Sequence, residues 1–314
     1  MARHNISLAI AIVLSLIVFI ITMVFSALAA AGKQPFLRST GNVSDEFLTE
    51  ITPSGWTFII WSIIYTFLAL LLVYILSGLF RKNMYGYVYC SPAVLPHGFF
   101  VLWCLNLILN IGWLFLWDRK FVSASLIFLI LVALTNYGVI FFSCYGLYNY
   151  GAWLNKYHKV DLWLHRVLIQ NGVAIYATWT TIATLINLAV TVSYDGNMSP
   201  PDAATLSLSV LTVLLIVWFV VENFLIDKYV RFILSIYPVV IWALTGVYTK
   251  NYRAAAPTRN NIFIAALLAV ACVLFAARIL LVVWRQIKSP FYRGVNPDAT
   301  SPLEIAERQK TVFK

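Results

Sequence analysis

Trp179-Thr180-Thr181-Ile182-Ala183-Thr184-Leu185-Ile186-Asn187 sets a tryptophan, an alanine and an asparagine four residues apart in an otherwise apolar run. Tyr176 stands three residues before Trp179, so the four share one helical face. Upstream, Leu109-Asn110-Ile111-Gly112-Trp113 again joins an amide to an indole. Pro53-Ser54-Gly55-Trp56-Thr57-Phe58-Ile59-Ile60-Trp61-Ser62-Ile63-Ile64-Tyr65 places Trp61 and Tyr65 one turn apart. An unpaired amide in hydrocarbon is unfavourable by several kcal/mol. Something inside the protein must therefore want these groups.

Around the three tracts the chain is built for lipid. Of 314 residues, 61% are hydrophobic and 11% charged, against about 25% charged in soluble domains. Eight apolar stretches, 7–31, 56–80, 95–117, 121–146, 166–193, 203–226, 229–249 and 261–285, reach the roughly 20 residues that a crossing needs. None alternates like a barrel strand, so all are read as helices. The Gly/Pro-rich segment 194–202 is the clear composition break. The fold class is thus all-α integral membrane with about eight transmembrane helices. A five-helix core occupies 1–194, three additional helices 195–285 and a polar tail 286–314. In the tail, Ser301 and Glu304 form a capping-box pattern that predicts a short surface helix.

Two segments need separate treatment. Ser26 to Ala31 resembles a signal-peptidase site, yet the apolar run before it exceeds the usual length of about 7–15 residues, which predicts a retained helix. The loop 32–55, with Gly32, Pro35, Gly41 and Pro53, is long for a link between neighbours and reads as a lid or as a disordered connection.

The net charge of +10 is read as topology, with lipid as partner and no nucleic acid. With the N-terminus inside, fourteen Lys and Arg fall on the inner side and tail against seven on the outer side. The positive-inside bias then places both termini in the cytoplasm. Three of the seven outer cations, Lys250, Arg253 and Arg259, crowd into the stretch 250–261, the weakest point of this topology. Sequons at Asn42 and Asn197 fall outside and are candidate glycosylation sites, while Asn5 begins one that falls inside.

Recognisable enzyme chemistry is missing. Cys90, Cys104, Cys144 and Cys272 have no metal-ligand spacing, and the four histidines form no zinc pattern. The sequence holds no Walker loop, dinucleotide fingerprint or serine-hydrolase elbow, and requires neither metal nor cofactor.

In the third helix Trp103, Asn106, Asn110, Trp113 and Trp117 follow at spacings of 3, 4, 3 and 4, again one face. Asn106 reads as interhelical glue, worth about 0.6 kcal/mol. Asn110 and Trp113 read as site residues. Helix two begins outside while helices three and five end there, so all three tracts converge in the outer half beneath the loop 32–55. An aromatic-lined cleft with a few amides suits a flat apolar ligand with polar edges.

These tracts resemble the TspO/MBR family (translocator protein / tryptophan-rich sensory protein). Trp179, Ala183 and Asn187 match its fifth-helix W-x-x-x-A-x-x-x-N tract. Leu109, Asn110 and Trp113 match its third-helix L-N-x-x-W, and Gly55-Trp56 through Trp61 and Tyr65 resemble its G-W…W-x-x-x-Y tract. The resemblance covers about 1–194. It implies a TspO-like five-helix bundle, a homodimer, and a receptor or sensor that binds a tetrapyrrole or another apolar ligand under the first loop. A porphyrin- or haem-type ligand is then the candidate occupant. It would stack on Trp113 and Trp179, bond Asn110 and Asn187 at its polar edge, and meet a wall of Trp56, Trp61 and Tyr65, with Tyr176 and Ala183 on the shared helix-five face. This chain departs from the pattern in having one residue fewer between Trp56 and Trp61, and Ile59 and Ile60 where the family has prolines. No Lys or Arg follows closely on helix five, so the cholesterol-type motif of some members is absent.

The last helices hold two ionisable residues, Glu222 and Arg278, one to two turns from their ends. A structural ion pair explains them. The alternative is a small-solute secondary transporter that uses the pair for coupling or gating. Catalytic breakdown of a bound tetrapyrrole has no independent sign in the sequence.

Overall fold

The computed structural model describes residues 4–295 and 297. The surface helix expected from Ser301 lies outside the described residues. The chain forms α1 (Ile6–Ala31), the short α2 (Thr40–Glu46), a 3-10 turn (Gly55–Ile59) leading into α3 (Ile60–Ser77), and a small antiparallel pair of β1 (Lys82–Asn83) and β2 (Gly86–Tyr87). Next come α4 (His97–Asp118), α5 (Val122–Tyr157), α6 (Lys159–Leu164), which runs through a π turn (His165–Asn171) into α7 (Gly172–Tyr194), and α8 (Pro200–Val220), which ends in a π turn (Val221–Leu225). The short α9 (Asp227–Val230), α10 (Ile236–Asn251) and α11 (Arg259–Lys288) complete it.

Seven helical segments among the described residues are long and apolar enough to cross a membrane. The eighth expected stretch, 229–249, becomes α9, a turn and the 16-residue α10. At 1.5 Å per residue α10 is about 24 Å long, short of a roughly 30 Å hydrocarbon core. The count of eight is therefore approximate. Two helices outrun their expected limits. α5 has 36 residues, about 54 Å, and the helical run ending in α7 begins at Lys159. The polar segment between the fourth and fifth apolar stretches is thus largely helix, because charged residues are tolerated once a helix leaves the bilayer.

The run containing α7 is the axis of the molecule. Its most apolar window is 67% buried, against 22–44% in the other spans. It packs on α3, α5, α8 and α10, while α1 leans on α4 and α10 on α11. One continuous apolar cluster joins Leu8 of α1, Leu107 of α4, Tyr176 of α7, Leu211 of α8 and Leu267 of α11. Amide and hydroxyl groups stitch the helices together within it. Asn106 donates to the Val132 carbonyl at 2.8 Å and to Thr135 at 2.9 Å, the glue expected of it. Asn171 donates to the Phe232 carbonyl and accepts from the backbone of Leu234 and Ser235, tying the start of α7 to the turn before α10.

The helices alternate in direction. α1, α4, α7 and α10 finish at the end that carries the loop 32–55, and α3, α8 and α11 start there. At the opposite end His4 stacks on Tyr87, and Arg166 donates to Tyr292.

Candidate functional site

The site is built where α3 enters the bundle. Residues 55–59 wind as a 3-10 turn and α3 takes over at Ile60, so Trp61 points inward and Trp56 does not. Trp61 stacks on Tyr65 (ring centroids 5.7 Å apart, planes 23°) and on Trp113 of α4 (6.2 Å, 23°). Trp113 stacks in turn on Trp117 (6.3 Å, 22°). Trp179 of α7 closes this row edge-on, 6.4 Å from Trp61 at 88°, and Tyr176 lies 6.1 Å from Trp61. Two pairs of rings four residues apart, Trp61 with Tyr65 on α3 and Trp113 with Trp117 on α4, thus deliver a staircase of near-parallel rings that Trp179 meets edge-on at Trp61, the offset and edge geometries that aromatic quadrupoles favour.

Beside the staircase lies a cavity of about 590 Å³. It is walled by Ser26 and Ala27 of α1, Thr40 and Asp45 of the loop, Tyr65 of α3 and Trp113. A hollow of about 50 Å³ continues from it. The two share Thr40, Phe58, Trp61 and Trp113, and the hollow ends on Trp179, Ala183 and Asn187. The small side chain of Ala183 leaves the room there. The larger cavity has a volume suited to a small-molecule ligand.

The amides are not laid along its edge. Asn110 is fully buried behind Tyr65 and donates to the Tyr65 hydroxyl at 3.3 Å; that hydroxyl shares a 2.7 Å hydrogen bond with Ser26. Asn110 therefore reaches the cavity through Tyr65. Asn187 lines the small hollow, but its NH2 donates to Ser125 at 3.0 Å and its oxygen accepts from Thr191. Trp56 also leaves the expected wall. It is 39% exposed and packs edge-on against Trp242 of α10, 5.0 Å away. The polar atoms around the site that have no hydrogen-bond partner among the described residues are Trp113 Nε1, Trp179 Nε1, Tyr176 OH and Asn110 Oδ1. Buried polar groups are rarely left so.

The loop 32–55 is ordered and lies over the cavity in the place expected of a lid. Gly32, at φ 62°, caps α1 in the left-handed region, and a Cβ there would stand 2.8 Å from Ser39 N. The buried Asp118 carboxylate accepts from Leu37 N and Arg38 N, each at 3.0 Å, and Arg119 donates to it at 2.8 Å. Trp117 Nε1 donates to the Thr40 carbonyl at 3.3 Å, so the end of the ring staircase also carries the lid. α2 lies across the cavity with Val43 fully buried beneath it. Glu46 pairs with Lys120 and, at 2.5 Å, with Arg38. The Lys120 hydrogen bond is the main reason that the Glu46 carboxyl sits below its usual range.

Sequence reasoning passed over Ser26, Thr40, Asp45 and Asp118. The signal for Asp118 was present, a lone acid at the end of an apolar helix. The three cations of 250–261 are explained in part. Lys250 pairs with Asp45 at 3.0 Å and Arg259 with Asp202 at 2.8 Å, so the charge excess there is balanced by acids from distant segments. Asn42 is exposed on α2, and Asn197 is exposed at the α7–α8 turn with φ 56°. Both lie at the lid end.

Glu222 and Arg278 meet at the opposite end, 3.4 Å apart and both fully buried. The π turn Val221–Leu225 aims Glu222 and Asn223 at α11. Arg278 donates to Asn223 at 2.8 Å and to the Val230 and Arg231 carbonyls at 3.1 and 3.3 Å, while Glu222 accepts from Tyr237. Asp227 extends the network to Arg285 at 2.8 Å and Arg231 at 2.6 Å. Arg278 is thus held by the groups that close the α8–α9–α10 corner, the arrangement of a structural tie.

No curated protein and no solved structure gives a match. The family model described as TSPO-like protein matches residues 11–280, so the similarity runs past the five-helix region and through the last three helices. The tryptophan and amide tracts, the lid and this match together place the chain in the TSPO-like protein family.

Proposed function

We propose that this membrane protein is a receptor or sensor that binds a planar apolar ligand of tetrapyrrole type between the lid and α1, α3 and α4. One observation carries the reading: the parallel stack of Trp61, Trp113 and Trp117 stands beside a cavity of about 590 Å³. A flat ring system slides along such a stack with its face on indole. The Ser26–Tyr65 hydroxyl pair and the unpartnered indole N–H of Trp113 belong to residues of the cavity wall and offer polar partners at its edge, and Trp179 lines the adjoining hollow. The Glu222–Arg278 pair favours a structural role over ion coupling, since its donors and acceptors are largely taken by the fold. The reading puts the lid end outside and both termini in the cytoplasm.

The test is a titration of the purified chain with protoporphyrin IX, read by tryptophan quenching and by porphyrin absorbance. Saturable quenching in the parent, lost in the Trp113→Leu/Trp179→Leu double variant that still expresses and folds, is the expected outcome. Undiminished saturable binding in the double variant sinks the assignment of the site.

A further inference from the structure

The lid is gripped from two sides, and only one grip belongs to the first five helices. Asp118, Arg119 and Trp117 of α4 and its end hold residues 35–40. Residues 45–57 are held mainly by α10 and α11, with Lys120 on Glu46 and the Tyr194 hydroxyl on the Leu48 carbonyl (3.3 Å) added from the first five helices. Lys250 Nζ meets Asp45 Oδ1 at 3.0 Å, Asn251 donates to the Thr52 carbonyl at 2.9 Å, and Asn260 donates to Glu50 Oε2 at 2.5 Å. Backbone reinforces them, with Ser54 N donating to the Gly246 carbonyl at 3.0 Å and Trp242 Nε1 to the Thr57 carbonyl at 3.0 Å. The approach at Gly246 leaves no room for a side chain, since a Cβ there would lie 2.0 Å from Thr57 Oγ1.

These contacts differ in strength. Asp45 is largely exposed, so its pair with Lys250 is weak alone. Asn260 is fully buried and also donates to the Pro201 carbonyl at 2.8 Å, which fixes its amide toward Glu50. Asp45 is itself part of the cavity wall. A residue of α10 therefore positions a residue of the candidate site from about two hundred positions away in the chain.

We infer that α10 and α11 are the clasp of the lid, with Lys250, Asn251 and Asn260 as positioning residues that set how fast the cavity exchanges its occupant. The clasp itself stands independently of any ligand; its control of exchange rests on the ligand-binding reading above.

The test is hydrogen–deuterium exchange of the full chain in nanodiscs without ligand. In Lys250→Asp and in Asn260→Ala, amides of 40–52 should exchange about three- to tenfold faster, the scale of one or two hydrogen bonds or ion pairs, with α4 and α7 unchanged. Adding Asp45→Lys to Lys250→Asp should restore protection. Unchanged lid exchange in both single variants overturns the clasp. If α4 and α7 also lose protection in a variant, Lys250→Met is judged by the same criterion. Dissociation of protoporphyrin IX should accelerate by the same factor as lid opening; an unchanged rate with an open lid overturns the control of exchange. A parent that binds no porphyrin while Lys250→Asp opens the lid leaves the clasp standing and removes the ligand reading.

Discussion

Tyr65 shows how a single hydroxyl joins three helices. It receives the Asn110 amide from α4 at 3.3 Å and shares 2.7 Å with Ser26 of α1. Asn110 is fully buried and its oxygen already has no partner, so removing the Tyr65 hydroxyl would strand the whole amide. Tyr65→Phe should lower the stability of the detergent-purified protein by about 1–3 kcal/mol, the desolvation penalty of an unsatisfied buried group, seen as a lower melting temperature. An unchanged melting temperature would mean that Asn110 finds another partner. The sequence placed Asn110 and Trp113 on one face correctly, because a helix fixes its own angular order. Which neighbour the amide would meet was not legible, since Tyr65 and Ser26 lie 45 and 84 residues away.

The lid is the element with a charge-dependent hold. Glu46 bonds Lys120 and Arg38 at its surface, and its carboxyl is held below the ordinary value of 4.5. A lowered folded-state pKa contributes to the closed lid fully above 4.5 and loses that contribution as the pH falls through the folded value. Replacing Glu46 by Gln should therefore weaken lid protection modestly at pH 7, and the difference between parent and variant should start to shrink as the pH falls below 4.5 and vanish once it is below the lowered folded-state value. Hydrogen exchange compared at each pH reads this directly; a difference that persists in acid assigns the effect to something other than the charge. The loop's order itself could not be read from its glycines and prolines. Those residues permit turns, but the partners that freeze it, Asp118 and Asn260 among them, sit on helices elsewhere in the chain.

At the scale of the whole molecule, the alternation of helices brings His4 and Tyr292 to one end and the lid to the other. The orientation proposed above then predicts that a cysteine placed at Asn42 reacts with an impermeant maleimide added to intact cells, and that a cysteine placed at Lys156 does not. The reverse pattern inverts the topology, as the cations of 250–261 would then favour. The pairs Lys250–Asp45 and Arg259–Asp202 weaken that objection, because they leave less unbalanced positive charge at the lid end.

Hydrophobic length, helical periodicity and the three aromatic tracts were enough by themselves to determine a multi-span helical protein of the TSPO-like family, with its ring-bearing faces named. These are local properties, written within twenty or thirty consecutive residues. Tertiary structure alone decided that Trp61 enters the stack while the 3-10 turn carries Trp56 to Trp242. It also decided that Asn187 serves Ser125, and that the last helices grip the lid. Each of those outcomes depends on which distant surfaces meet, and at what angle. A side-chain pattern along one helix carries no record of either.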